Sequence, residues 1–380
     1  MTRKTMTRKA MPPKSMISKS IPKKFMTSKV MIPEAMISEA APSKACSAEN
    51  TVSSRSASAV RFLPLAAVLS AVLLLLIFPE TGHAGMREGI SLCLNALIPS
   101  VFPFLVLTPL LAAYGQALPG LPVLPLAFGI GMTAGFPLGA LAVISLYEAR
   151  AVDRDTAERA LAVCSGAGPA FLVGCAGKTF AGSAAVGWCY VLAQFCASLV
   201  LYVLFLRGKK AVPVRSPSAP PTLVSAVTEG AKKMGNVCAF VLFFSVWNRY
   251  LSAFCEKCGV SPVISAMLCG CTEMTGGLAM LSELSAAFHT ATAFPTAGAA
   301  SALGMAPTLG AFPALGALPA GGGFLPLSAF LIGFGGLCVC MQTRVFAGRA
   351  GLSMRYWLPQ KLLCGGLCAM FFVLFLYLFD

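Results

Sequence analysis

Residues 165–177 read SGAGPAFLVGCAG, and far downstream residues 330–336 read FLIGFGG. Phe171, Leu172, Gly174 and Gly177 match Phe330, Leu331, Gly333 and Gly336, with Val173 opposite Ile332. Both stretches lie inside long apolar runs. Glycine and proline weaken a helix and free backbone groups, and hydrocarbon offers those groups no partner. A chain that carries Gly168-Pro169 in one such run and Gly335-Gly336 in another is expected to break two membrane helices at matching places.

The composition supplies the setting. Of 380 residues, 57% are hydrophobic and 11% charged, whereas a soluble domain carries about a quarter charged residues. Uninterrupted apolar runs cover residues 62–78, 183–206 and 362–379, each about the length that crosses a bilayer. Further runs are interrupted by Gly, Pro or polar residues. The expectation is an all-α integral membrane protein with roughly eight to ten membrane segments, some broken or re-entrant.

The net charge of +15 is uneven. Residues 1–61 hold twelve Lys and Arg against three Glu, within a five-residue repeat beginning MTRKT MTRKA MPPKS. A period of five matches neither helix nor strand, so no apolar face can form. Residues 1–58 are therefore expected to be a disordered basic tail on the cytoplasmic side, free to touch anionic lipid. The basic residues flank membrane segments, which argues against nucleic acid as a partner.

The echo extends beyond the two glycine stretches. Glu88-Gly89 is followed by Asn95 and Phe102, and Glu229-Gly230 by Asn236 and Phe243, at identical spacing. GMTAGFPLGA at 131–140 matches GCTEMTGGLA at 270–279. The chain thus divides into the tail, an extra membrane helix at 59–79, repeat A at 85–206, a polar linker at 207–222 and repeat B at 223–380. Arg207, Lys209, Lys210 and Arg215 place the linker inside by the positive-inside rule. Arg344, Arg349, Arg355 and Lys361 do the same for the loop expected before the last helix, while its counterpart in repeat A has only Lys178. The two repeats are then inverted, the architecture of many secondary transporters.

Glu273 is the leading candidate for chemistry. It lies in MLCGCTEMTGGLAML, beside a break expected at Gly276-Gly277. A carboxylate at that depth suits ion coupling, a proton relay or solute binding, and equally a structural bond to a freed amide. Asn95 and Asn236 offer donors and acceptors fit for a nucleobase or sugar, or act as interhelical glue. Thr133, Thr272, Thr275, Ser165 and Gln342 add neutral polar groups near the breaks. Gly135, Pro137 and Gly139 supply a further break. Glu283 and His289 fall in a looser stretch and are not expected to contribute.

Other chemistry is not indicated. Cys255-x-x-Cys258 lacks the second pair and the histidines of a zinc site. GCAGKT at 174–179 has two residues between its glycines where a phosphate-binding loop has four. Hydrolase motifs and paired carboxylates are missing, so no enzyme, metal or cofactor is expected. AVDRDTAERALAV at 151–163 reads as a solvated helix start with Asp153 or Asp155 at its N-terminus.

The landmarks in this order resemble the sporulation integral membrane proteins of the YlbJ type, within the nucleoside-recognition or Gate domain group. The pieces that carry the resemblance are ALIPSVFPFLVLTPLL at 96–111, GMTAGFPLGA at 131–140, LYEARAV at 146–152, GPAFLVGCAG at 168–177, CTEMTGG at 271–277 and FLIGFGGLCVCMQ at 330–342. They span most of residues 85–380. The resemblance implies a multi-pass membrane protein of spore-forming bacteria that is needed for the spore cortex, in the forespore or mother-cell membrane, with relatives that handle nucleosides or ions. It places Glu273 and Gln342, and Gly135, Pro137 and Gly139, on the family's pattern. Ala134, Leu141 and Ser165-Gly166 depart from it by removing polar groups near the first break. The expected function is passage or gating of a small polar, nucleoside-like solute. The alternative is a scaffold that binds other spore-envelope proteins.

Overall fold

The computed structural model describes residues 54–116, 122–209, 221–293 and 324–379. The first 53 residues of the basic tail, Lys210 and Arg215 of the linker, and the side chain of His289 lie outside the described residues. Contacts divide the chain into a small unit at 1–65 and a large unit at 66–380, and the membrane core belongs to the large one.

All described secondary structure is helical. The elements are α1 (Ser54–Ile77), α2 (Pro79–Leu92), α3 (Ile98–Gln116), α4 (Val123–Ala134), α5 (Leu138–Glu148), α6 (Arg154–Val163), α7 (Pro169–Phe171), α8 (Ala184–Leu206), α9 (Leu223–Lys257), α10 (Pro262–Thr272), α11 (Met274–Ala293), α12 (Leu325–Phe334), α13 (Gly336–Arg349) and α14 (Trp357–Phe379). Wider π-helical turns join α2 to α3 at Cys93–Leu97 and continue α7 over Leu172–Phe180. The extra helix expected from residue 59 begins at Ser54, and Pro79 opens α2, whose missing N–H costs nothing at a first turn.

Among the described residues, five helical stretches are long and apolar enough to cross a membrane: Pro79–Leu111, Ala184–Leu206, Leu223–Lys257, Leu325–Arg349 and Trp357–Leu378. α4, α5 and α10 are apolar but only 11–12 residues long, about 17 Å each at 1.5 Å per residue. None crosses a bilayer alone, so the expected eight to ten segments are not all full spans.

Two short pairs fold back as hairpins. Gly139 faces Gly131 across α4 and α5, and a Cβ on it would sit 2.7 Å from the Gly131 Cα. Gly277 stands against Gly270 across α10 and α11 in the same way. Two long pairs run antiparallel. Gly89 meets Ser245 while Gly230 meets Val106, so α2 and α3 run against α9. Tyr190 stacks on Phe372 at 4.5 Å and Ser198 meets Cys364, so α8 runs against α14. The core lies between these layers and includes Leu161, Leu172, Leu201, Leu278, Leu331 and Phe372.

Glycines set the closest approaches. The carbonyl of Cys164, at the C-terminus of α6, lies where a Cβ on either Gly131 or Gly139 would stand. An Ala at 139 must push that backbone away, and such overpacking costs about 1–3 kcal/mol. Gly139→Ala should lower the heat stability of the purified protein, read with a thiol-reactive dye that reports the buried cysteines. Ala at Gly129, which has open space around it, should leave it unchanged.

Candidate functional site

Each helix break strands amide and carbonyl groups, and the structure accounts for them one at a time. Between α6 and α7 the chain is extended over Ser165–Gly168. The Gly166 carbonyl accepts from Phe136 N at 2.8 Å, which ties this break to the one between α4 and α5. Ala167 is gripped at both ends by Gln194 of α8, whose Oε1 accepts from Ala167 N at 3.1 Å and whose Nε2 donates to Ala167 O at 2.8 Å. The Ser165 carbonyl accepts from the ammonium of Lys361. Ser165 itself turns its hydroxyl back to the Leu161 carbonyl at 2.6 Å.

Lys361 departs from its expected place in a basic loop. It lies inside α14 and is 2% exposed. Its amine sits past the C-terminus of α6, where free carbonyls call for a donor. Its stem runs by Trp357, whose ring centre is 5.4 Å from Nζ. Neither Lys361 nor Gln194 carries a motif, and only an apolar run with a single polar interruption could have flagged them.

The break between α10 and α11 is capped from within. Glu273 is 3% exposed and extended, and its carboxylate accepts from Thr275 N at 2.9 Å and from Gly276 N at 2.7 Å. An anion on the first amides of a helix is favoured by the dipole and by direct hydrogen bonds. The helix N-terminus is thus the counter-charge of the carboxylate. Asn248 of α9, which no sequence pattern singles out, fastens the other side. Its Nδ2 donates to Cys269 O at 3.0 Å, and its Oδ1 accepts from the hydroxyl of Thr272. Behind them α12 ends at Gly335 and α13 begins at Gly336, both with positive φ (81° and 76°). Gly336 faces the carbonyls of Gly270, Cys271 and Thr272. Twice, then, a hairpin turn rests on a broken helix: Gly135 on Gly168, and Cys271–Thr272 on Gly336.

The remaining expected site residues divide. Thr275 and Gln342 are buried, Gln342 donating to Cys338 Sγ at 3.2 Å while its Oε1 has no partner among the described residues. Thr133 is exposed and bonds its own helix at Gly129 O. Asn95 and Asn236 are both exposed on the outer surface, Asn95 donating to Ser91 Oγ at 3.1 Å, so neither joins the breaks. Pro137 and Pro169 stand next to the breaks of the first half, while Gly276 gives its amide to Glu273 and Gly277 packs on Gly270.

A second polar feature joins the two halves near the ends of α6, α8 and α14. Asp155 accepts from Arg159 Nε (2.8 Å), Tyr356 Oη (2.8 Å), Arg355 (3.0 Å) and Lys209 (3.2 Å). Glu158 accepts from Arg154, Arg355 and Ser353 N. Both arginines at 159 and 355 stack on Tyr356. Asp153 caps α6 by accepting from Thr156 N, as its place in the sequence suggests, but Asp155 and Glu158 are network members rather than solvated ends. Arg159, Tyr356 and Lys209 hold the Asp155 carboxyl well below its ordinary range.

The geometry defines an all-α integral membrane protein with interrupted helices meeting in its interior. Over 218 residues the chain is 25% identical to the sporulation integral membrane protein YlbJ of Bacillus subtilis (strain 168), a match covering 46% of this chain and 52% of that protein. The chain therefore spans about half the length of the curated relative it matches. No family model and no solved structure matches it.

Two measurements test these caps. Glu273→Gln keeps one acceptor and loses the other and the charge, which should cost about 1–3 kcal/mol; Glu273→Ala orphans both amides and should cost more, read by heat unfolding in detergent. Asp155 has a lowered folded pKa, so its contribution is full above the ordinary value of 3.8 and is lost as pH falls through the folded value. Asp155→Asn should then destabilise by about 1 kcal/mol at neutral pH, with the gap to wild type closing in acid.

Proposed function

We propose that this chain is an inverted-repeat membrane protein that moves or gates a small polar solute across the cell membrane during spore formation, with its N-terminal tail cytoplasmic. The carrying observation is the paired hairpin turns, each resting on a broken helix, in halves whose equivalent helices run antiparallel. Glu229-Gly230 stands 141 residues after Glu88-Gly89. Leu105 lies beside Gly230, and the same shift carries it to Val246, next in the chain to Ser245, which lies beside Gly89. One contact thus maps onto the other to within a residue, as a two-fold axis in the membrane plane requires.

The shared cluster around Asp155 adds support. Lys209, just after α8, and Arg355, just before α14, both reach it, so equivalent closing helices end and begin on one face. That face carries the basic linker and is the cytoplasmic one by charge. Sporulation enters from the name of the curated relative, and a scaffold for spore-envelope assembly is the competing role.

The test is uptake by proteoliposomes holding the purified protein, with labelled nucleosides, nucleobases and amino acids, with and without a proton gradient. Saturable uptake is expected, and Glu273→Gln should abolish it while the protein stays folded at the assay temperature. No uptake by folded wild-type protein would overturn transport in favour of the scaffold.

A further inference from the structure

Two cavities stand in matching places along the chain, and they differ in size. One, of about 390 Å³, lies between α9 and the α10–α11 turn, with Ser245, Asn248, Ser252 and Gly276 in its wall. The other, of about 20 Å³, lies between α3 and the α4–α5 turn, with Ser100, Phe104, Thr133 and Phe136 in its wall. Ser245 stands 141 residues after Phe104, the same shift that separates the two Glu-Gly landmarks. The larger has the volume of a small-ligand site. The smaller has room for about one water.

The cavities also lie at opposite depths. α9 leaves the basic linker at Leu223 and ends at Lys257. The large cavity takes its far part, Ser245 to Ser252. There the start of α2 lies alongside, with Tyr250 donating to the Phe78 carbonyl at 2.8 Å and Lys257 Nζ 5.3 Å from the Phe78 ring centre. Its wall also holds Glu88 and Glu283, both exposed, so it opens to the face away from the linker. The small cavity lies beside the near part of α9, for Val106, just beyond Phe104, meets Gly230.

The linker face is shut. Arg355 spans Asp155 at 3.0 Å and Glu158 at 2.8 Å, and Lys209 reaches Asp155 at 3.2 Å. These pairs hold the start of α6 against the loop before α14. The other end of α6 sets the Cys164 carbonyl on Gly131 and Gly139 of the α4–α5 hairpin, whose turn walls the small cavity. α6 is therefore a strut, pinned at the linker face and bearing at its far end on that hairpin.

We propose that the Asp155 cluster is the latch of a linker-side gate, and that the arrangement described is the state open to the opposite face. Repeats of one design in two shapes give the second state by exchanging shapes. The small cavity then widens and the large one shuts, a change that requires Arg355 and Lys209 to release α6. The inference deepens the inverted-repeat transport reading above and rests on it for its purpose.

The test is reaction with a membrane-impermeant maleimide, read by peptide mass spectrometry on the full chain. Ser100→Cys reports the linker side in inside-out vesicles, and Ser252→Cys the opposite side in right-side-out vesicles. Ser252→Cys should react fast and Ser100→Cys slowly. Arg355→Ala should speed reaction at Ser100→Cys about fivefold, the weight of one ion pair, while Ser252→Cys reacts no faster. Lys209→Ala, which removes a single pair at the surface, should act the same way by about twofold. Heat unfolding of each variant controls for folding. Rates at Ser100→Cys indifferent to both variants would overturn the latch. Rates that rise at both cavities would also overturn it, since they mark a loosened fold rather than a gate. The expected labelling without uptake by proteoliposomes would keep the latch and overturn transport; uptake with labelling indifferent to both variants would do the reverse.

Discussion

Every amide and carbonyl freed inside hydrocarbon must find a partner within the protein, and the architecture here obeys that constraint. The interruptions fall within apolar sequence, and specific groups answer them. Glu273 meets the amides that open α11, Lys361 meets the carbonyl past the end of α6, and Gln194 grips both polar groups of Ala167. The polarities agree with the helix ends, with an acceptor at an N-terminus and a donor at a C-terminus. A buried charge alone would be prohibitive, and a helix end alone nearly so. Placed together, each removes the other's penalty.

Close packing is the second half of the same solution. The caps reach their targets only because backbones approach without side chains between them. Cys164 O sits against Gly131 and Gly139, and Gly135 sits against Gly168. The spacing of these glycines, four apart along GMTAGFPLGA, keeps them on one side of the hairpin that faces the break. Glycine in these runs therefore both ends helices and admits neighbours, and the packing and breaking readings of such sequence do not compete. Glu273, correspondingly, is a structural cap of α11.

The helical membrane character and the breaks at Gly135, Gly168 and Gly335 were legible because composition and glycine-proline spacing are local signals; the break expected at Gly276-Gly277 falls instead at Glu273, and both glycines lie inside α11, where Gly277 packs on Gly270. Glu273 was legible because a carboxylate in an apolar run is rare. Lys361, Gln194 and Asn248 were not, since their meaning depends on a partner far along the chain. The expectation for Lys361 fails for a physical reason: a lysine near a basic loop reads as a surface charge until the fold shows a carbonyl waiting for it. Asn95 and Asn236 fail the other way. Their matching spacing marks equivalent places on two helices, but spacing does not say which side of a helix faces inward. Glu283 lies exposed on α11, which continues through the Ala-rich stretch.

The bond between Lys361 and Ser165 spans 196 residues of chain. Its two ends do not leave the ribosome together. At about 5–20 residues per second, the Ser165 carbonyl waits roughly 10–40 s for Lys361. During that interval the Ser165 carbonyl and the end of α6 must be served by water, by the insertion machinery or by a different local geometry. α14, made long after α6, is thus the helix that supplies the partner of the Ser165 carbonyl.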